Sequence, residues 1–115
     1  MAYTFALLVF GHMLADYPLQ GDFLARGKNA SAPIPGVPWP LILVSHAIIH
    51  GGVVLVITGS LWLGLAETSA HTIIDHGKCV GALGSNPERA FIKDQMLHIL
   101  CKLVWCGFLL LGAPA

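Results

Sequence analysis

Ionisable side chains recur at intervals of four residues inside four long apolar segments, and this pattern constrains the fold more than any other feature of the sequence. In an α-helix, residues four apart stack on one face about 6 Å from each other. Each segment is therefore predicted to be a helix with a single polar stripe, which turns away from lipid and into a bundle core. The four stripes are His12 and Asp16; His46 and His50; Glu67, His71 and Asp75; and Asp94, His98 and Lys102.

The composition indicates a membrane rather than water as the surrounding solvent. Hydrophobic residues make up 56% of the 115-residue chain and charged residues 10%, whereas about 25% of a typical soluble domain is charged. A small soluble domain leaves much of its area in water, so it could not bury this much apolar surface. The formal net charge is zero, which gives no electrostatic footprint for nucleic acid. We therefore expect membrane lipids, and no nucleic acid, as partners.

Four segments approach the length of about 20 residues that a helix needs to cross a bilayer. They are residues 2–18, 40–59, 61–77 and 88–111. Because the connection after residue 59 is so short, the helices on either side of it must be antiparallel. The sequence predicts an all-α fold, a four-helix transmembrane bundle with antiparallel neighbouring helices, in which residues 1–115 form a single integral-membrane helical domain.

Basic residues cluster in two of the connections between these segments. Arg26 and Lys28 lie in loop 19–39, and Lys78 lies in loop 78–90. Since Lys and Arg favour cytoplasmic loops, both loops are predicted to be cytoplasmic and both termini outside. This topology describes a multi-pass protein of the cell inner membrane, and it leaves open whether the chain forms a homo-oligomer.

The predicted topology sorts the polar stripes into layers by their depth from the cytoplasmic side. The first layer is Asp16, Asp75 and Asp94; the second is His12, His46, His71 and His98; the third is His50, Glu67 and Lys102. Ionisable groups at membrane depth cost several kcal/mol each and mark functional sites. Imidazole and carboxylate together suit a divalent transition metal such as Zn²⁺, Mn²⁺ or Fe²⁺. The layers therefore predict a metal centre, with enough ligands for two ions.

The expected chemistry of such a centre is hydrolysis. The predicted primary ligands are His12, Asp16, His71 and Asp75, and the shells are completed by His46, His50, Asp94 and His98. Two ions about 3.5–4 Å apart clamp the attacking and leaving oxygens of a hydrolysis, most often of a phosphate ester. We expect a metal-dependent hydrolase with a lipid-like or phosphorylated small-molecule substrate. Glu67, or Asp94 if it binds no metal, is the candidate general base.

Other classes of function use the same residues. A metal-ion or proton conduit needs a polar path to the far side, whereas residues 1–9 and 103–111 are nearly all apolar. A structural or phage lysis-related membrane protein would need no layered histidines, although one buried His or Asp often serves only to bind a neighbouring helix. Haem held by two histidines is disfavoured because aspartates crowd the layer that its flat ring would need.

Several motifs along the chain also carry a family resemblance. They are His12-x-x-x-Asp16 with Pro18-Leu19-Gln20, then His46 and His50, then His71-x-x-x-Asp75-x-x-Lys78, and finally Phe91 with Asp94-Gln95-x-x-His98. Through nearly its full length the chain resembles the small membrane proteins of bacteria and phages grouped as the domain of unknown function 3307 family. That family brings no established activity. A looser similarity, in His and Asp content, links the chain to membrane-bound metal-dependent hydrolases.

The resemblance adds residues near the helix ends to the candidate site. By their place in the motifs, Gln20 and Gln95 are expected to orient water or a metal-binding carboxylate. Lys78, together with Arg26, is expected to receive a phosphate group at the cytoplasmic rim. With Glu67 and Asp94, the residues Gln20 and Lys78 complete the candidate catalytic set. Lys102 could either neutralise Glu67 or extend toward the interface.

Overall fold

The chain forms five α-helices and no β-strand in a computed structural model that describes residues 1–115. The helices are α1 (Ala2–Asp16), α2 (Gly21–Gly27), α3 (Trp39–Thr58), α4 (Leu61–Cys79) and α5 (Pro87–Leu110). The prediction of an all-α fold is therefore confirmed. Helices α1, α3, α4 and α5 match the four predicted segments closely, because Pro and Gly residues mark most of the segment ends.

Helix α2 corrects the prediction that residues 19–39 form a continuous loop. It has seven residues, too few to be stable as an isolated helix. Its stability comes from packing on α3, where a Cβ added to Gly27 would lie 3.1 Å from Ile42 Cγ2. A segment this short cannot display a helical period, so the sequence pattern did not reveal it.

The ends of the long helices are capped by side chains that suit those positions. Ser60 Oγ accepts a hydrogen bond from the backbone N–H of Leu63 at 3.3 Å, and Asn86 Oδ1 accepts one from Arg89 at 2.9 Å. These are N-cap bonds, which satisfy N–H groups that the helix itself leaves unpaired. Gly59 ends α3 with φ 71°, the left-handed conformation that glycine adopts at little cost. The resulting tight turn sets α3 and α4 antiparallel.

The four long helices surround a common core, in which α1 contacts α3 and α5, and α4 contacts the same two helices. One end of this core is an apolar cluster, formed by Leu8, Val54, Leu63, Trp105 and Cys106. Its residues come from near the start of α1 and α4 and from near the end of α3 and α5. The chain direction therefore alternates around the bundle, and each helix is antiparallel to both of its neighbours.

Most of the buried side chains of this bundle are polar, and many of its large apolar side chains are exposed. The buried polar and charged side chains outnumber the buried apolar ones; they are His12, Asp16, Lys28, His46, His50, Ser60, Glu67, His71, Asp75, Asp94, His98 and Lys102. Large hydrophobic side chains lie on the surface, among them Phe10 at 65%, Val56 at 84% and Ile73 at 72% exposure. Soluble domains keep Lys, Glu and Asp out of the core almost without exception, so this distribution is inverted.

Helix α3 is the one helix that is long and apolar enough to cross a membrane by length and composition. It has 20 residues, with a mean hydropathy of 2.2 over its most apolar stretch. Helix α1 is apolar but has 15 residues. Helices α4 and α5 carry most of the ionisable residues of the core. One span candidate is thus found, and the prediction of four spans stays a prediction.

Candidate metal centre

Five histidines from the four long helices meet inside the bundle, and each is at most 1% exposed. The rings of His50 and His71 stack with centroids 3.6 Å apart, and those of His71 and His98 with centroids 4.1 Å apart. His12 lies 5.0 Å from His98, and His46 lies 4.7 Å from His50. The structure thus brings together the four imidazoles of the predicted second layer and adds His50, which was predicted to lie deeper.

One group of ligand atoms, which we call the tetrad, joins α1, α3 and α4. Asp16 Oδ1 lies 3.2 Å from Nε2 of both His46 and His50, and 3.9 Å from Nε2 of His71. All four donors lie within 4.8 Å of one another. Two ligands of a tetrahedral Zn²⁺ ion, each about 2.0–2.1 Å from the metal, are about 3.3 Å apart. The tetrad therefore has donors of the right kind, at separations that one ion can bridge with small side-chain shifts.

A second group, which we call the triad, joins α4 and α5. His98 Nε2 lies 3.3 Å from Asp75 Oδ1 and 3.5 Å from Asp94 Oδ1. The two groups are adjacent, because His71 Nε2 is 3.6 Å from Asp75 Oδ2. His12 completes a further set of neighbouring donors with His71 and His98. All eight residues predicted as metal ligands therefore line one continuous polar core.

Many of these buried donor atoms lack a hydrogen-bond partner. They are both ring nitrogens of His71, Nε2 of His50, Nδ1 of His12, His46 and His98, and Oδ1 of Asp94. A buried polar atom without a partner costs about 1–3 kcal/mol, and native structures contain few of them. Neutral imidazole and carboxylate offer lone pairs that a divalent cation accepts. Of the unpartnered atoms, Nε2 of His50 and of His71 face Asp16 in the tetrad, and Oδ1 of Asp94 belongs to the triad, so these three are the atoms that a bound ion would engage.

Glu67 lies directly beyond the histidines, toward the apolar cluster. Its Oε1 accepts a hydrogen bond from Lys102 Nζ at 2.5 Å, and its Oε2 accepts one from Trp105 Nε1 at 2.6 Å. Oε1 also lies 3.5 Å from His71 Nδ1. Both carboxylate oxygens are therefore engaged, which suits a residue that orients the His71 ring. Such a residue is poorly placed to accept a proton from water, the role predicted from the sequence.

Gln95 connects the two groups at the opposite end, the predicted cytoplasmic rim. Its Nε2 donates to Asp16 Oδ2 at 2.7 Å and to Asp94 Oδ2 at 3.1 Å, and its Oε1 lies 3.2 Å from His12 Nε2. Tyr17 donates a hydrogen bond of 3.5 Å to the same Oε1. Gln95 thus bonds to two of the candidate carboxylate ligands, and its expected role in orienting them stays a prediction.

The other rim residues predicted from the sequence differ in their position. Lys78 Nζ donates to Asp94 Oδ2 at 3.0 Å, and its side chain is 27% exposed. Gln20 donates to the backbone carbonyl of Asp16 at 3.2 Å and does not reach a donor atom of the metal centre directly. Arg26 is exposed and pairs with Asp22, so the expectation that it receives a phosphate at the rim is not supported.

Lys28 is the site residue that the sequence analysis missed. It is 4% exposed, although it follows α2 in a segment predicted to be loop. Its ammonium group donates to Asp75 Oδ2, and at 2.5 Å to Gln20 Oε1. The sequence showed Lys28 only as a positive charge in a cytoplasmic loop. No periodic pattern marks a single lysine that folds back over a site from outside the bundle.

Comparison with known proteins places the chain in a family. The family described as "Protein of unknown function (DUF3307)" matches residues 4–112. The chain belongs to this family. The resemblance found in the sequence is thereby confirmed, and the matched region contains every residue of the tetrad and the triad. The DUF3307 description assigns no activity, so function must be argued from the site. No curated protein and no solved structure matches the chain.

Proposed function

We propose that this DUF3307 protein is an integral membrane protein whose core binds divalent transition metal ions for the hydrolysis of a lipid-like or phosphorylated substrate. The observation that carries the proposal is the tetrad. Three imidazole nitrogens and one carboxylate oxygen from three helices converge in a fully buried position. Of these donors, Nε2 of His50 and Nε2 of His71 have no hydrogen-bond partner. A metal ion would satisfy these atoms together.

The inverted distribution of residues supports the membrane part of the proposal. A helix that forms the core of a soluble protein is mostly buried, whereas 33% of the apolar stretch of α3 is buried. Its exposed face includes Ile48 and Val56. Around the bundle, many large apolar side chains face outward, whereas Asp16, Glu67, Asp75, Asp94 and Lys102 face inward, the arrangement that a bilayer favours.

The rim of the site suggests how hydrolysis would proceed. A divalent ion, when bound, supplies a Lewis acid that activates water and stabilises negative charge on oxygen. Lys78 lies at the rim, half-buried, where it can hold a phosphate group. Asp94 Oδ1 has no hydrogen-bond partner, and Asp94 is the candidate base while the triad holds no ion. Water attacks phosphorus, the ester P–O bond breaks with its electron pair on the leaving oxygen, and the proton from water passes through Asp94 to that oxygen.

The apolar cluster argues against a conduit for ions or protons. It lies beyond Glu67 and Lys102, where a path to the far side would have to continue. The close stacking of the rings, at 3.6 and 4.1 Å between centroids, likewise leaves no room for a haem. A substrate would therefore approach from the rim, where Lys78 is half-buried.

Metal analysis of the purified protein tests this proposal. We expect at least one equivalent of Zn²⁺, Mn²⁺ or Fe²⁺ per chain in detergent, and loss of that metal in a variant with His46→Ala and His50→Ala together. His76→Ala is the matched control, since His76 stacks on Trp39 outside the histidine group. The metal-loaded parent should hydrolyse at least one member of a panel of phosphate monoesters and phospholipids.

Two results would contradict the proposal at different levels. The proposal of a metal centre would be refuted if the parent protein contained no metal above the buffer blank, or if the double variant retained the parental metal content. If the metal-loaded parent hydrolysed no member of the panel, the proposed hydrolase activity would be refuted and the proposed metal centre would stand.

A further inference from the structure

The two groups of donors differ in the charges that surround them. In the tetrad, Asp16 contacts imidazoles and the amide of Gln95, and no lysine or arginine pairs with it. In the triad, each carboxylate already carries an ammonium group. Lys28 pairs with Asp75, and Lys78 pairs with Asp94.

This difference makes the two groups unequal as cation sites. An ion at the tetrad would contact the Asp16 carboxylate, which has no lysine or arginine paired with it. An ion at the triad meets two carboxylates that are already neutralised, and it must compete with an ammonium group for them. Like charges at a few ångströms in a partly buried site repel strongly. The tetrad is therefore the tighter position, and occupation of the triad depends on whether a lysine can leave.

Lys28 is the lysine that reaches the triad from outside the four long helices. Lys78 belongs to α4, the same helix as Asp75, and stays beside the triad. Lys28 instead reaches Asp75 from the end of α2, whose main contact with the bundle is with α3. Its ammonium rests on Asp75 Oδ2, the oxygen that also lies 3.6 Å from Nε2 of both His46 and His71. It thus occupies the boundary between the tetrad and the triad.

Resting on the metal-binding function proposed above, we propose that Asp75, Asp94 and His98 form a second, exchangeable divalent-cation site, for which the Lys28 ammonium group is the built-in competitor. Two carboxylates and one imidazole make a harder donor set than the three imidazoles and one carboxylate of the tetrad. The triad therefore suits Mn²⁺ or Fe²⁺, and the tetrad suits Zn²⁺. Binding of the second ion displaces Lys28 from Asp75 and frees its ammonium group at the rim.

Amine labelling of the parent protein tests the displacement without any substitution. Protein loaded with one equivalent of Zn²⁺ is treated with an acetylating reagent at increasing Mn²⁺, and acetylation of each lysine is followed by mass spectrometry. Lys28 should be protected at first and become about tenfold more reactive as Mn²⁺ saturates the second site, since close charge pairs couple by at least this factor. Lys93, which is exposed and bonded to the Leu83 carbonyl, is the internal control and should not change.

Titration of variants with Mn²⁺ tests the competition. Lys28→Met should bind the second ion about tenfold more tightly than the parent, whereas Lys93→Met should match the parent. Asp94→Asn should lose the second ion and keep the first.

The outcomes separate this proposal from the one on which it rests. Binding of one ion by the parent and by Lys28→Met, with no second ion in either, would overturn the second site and leave the metal centre standing. Lys28 that stays protected at saturating Mn²⁺ would overturn its role as competitor. Absence of any bound ion would overturn both proposals.

Discussion

Glu67 and Lys102 form a buried ion pair beneath the histidines, completed by the Trp105 indole. Removing two charges from water is costly, and such a pair often stabilises a protein no more than apolar residues of the same size would. Its value here is positional, because Glu67 also faces Nδ1 of His71. The pair therefore lies on the Nδ1 side of the His71 ring, and the Nε2 atom of His71 points to the tetrad.

Separate and joint substitution of the pair checks this role. Glu67→Gln or Lys102→Met alone leaves one buried charge without a partner and should lower the free energy of unfolding by about 3–5 kcal/mol. The double variant removes both charges, and Gln at position 67 can still accept from Trp105, so its loss should be smaller than either single loss. Unfolding by SDS in mixed micelles gives the three values. Losses that simply add would show that the two side chains do not interact.

At the residue scale, the sequence predicted those features of the site that helical geometry alone determines. Residues four apart must share a helix face, so the sequence predicted that Asp16, His71 and Asp75 would point into one core. The division of donors into the tetrad and the triad could not be predicted, since it depends on how far each helix is rotated and on which rotamer each side chain adopts. Lys28 was missed because it enters the site from outside any periodic segment.

The closest approach between elements is that of α3 and α4. A Cβ added to Gly51 would lie 2.0 Å from Thr68 Oγ1 and 2.6 Å from the Gly64 carbonyl oxygen. The absence of a side chain at this position lets the two backbones come together, as small residues commonly do between membrane helices. This contact lies next to His50 on α3, so helix spacing and site geometry are coupled.

Adjacent glycines provide a matched test of this contact. Gly51→Ala should destabilise the protein by about 1–3 kcal/mol, because its methyl group meets backbone that cannot yield. Gly52→Ala has open space around it and should be neutral or stabilising, by up to about 1 kcal/mol, since Ala is the better helix former. Thermal unfolding of both variants in the same detergent makes the comparison. Equal midpoints would contradict the close packing.

Helix bounds were predictable at this scale where the chain carries local signals. Pro18 and the Gly59-Ser60 turn mark ends that the structure reproduces within about two residues. Helix α2 has no such signal, because it is bounded by Gly21 and Gly27 and held only through its contact with α3. Tertiary packing determines the conformation of α2, and such packing cannot be predicted from the local sequence.

At the scale of the whole molecule, antiparallel packing assigns the connections to two ends. Residues 17–38 and 80–86 lie at the end that carries the rim of the site, whereas the turn at Ser60 and the residues near the C-terminus lie at the other, where Ser60 Oγ donates to the Pro114 carbonyl at 2.5 Å. Basic residues near the rim end favour its placement in the cytoplasm.

Reporter fusions check this placement. Alkaline phosphatase fused after Ala115 should be active, since it folds only outside the cytoplasm, and the same reporter inserted after Pro35 should be inactive. Both fusions should remain with the membrane after an alkaline carbonate wash. The opposite activity pattern would reverse the topology, and recovery of the unfused chain in the soluble fraction would rule out membrane integration altogether.

The pairing of Glu67 on α4 with Lys102 on α5 has a consequence for biogenesis. In the proposed membrane setting, α4 leaves the ribosome with Glu67, whose partners Lys102 and Trp105 belong to a helix not yet synthesised. The tight turn before α4 lets it enter lipid as a hairpin with apolar α3. Until α5 arrives, Glu67 lacks both of these partners, so full-length synthesis becomes the step that commits the nascent chain to stable insertion.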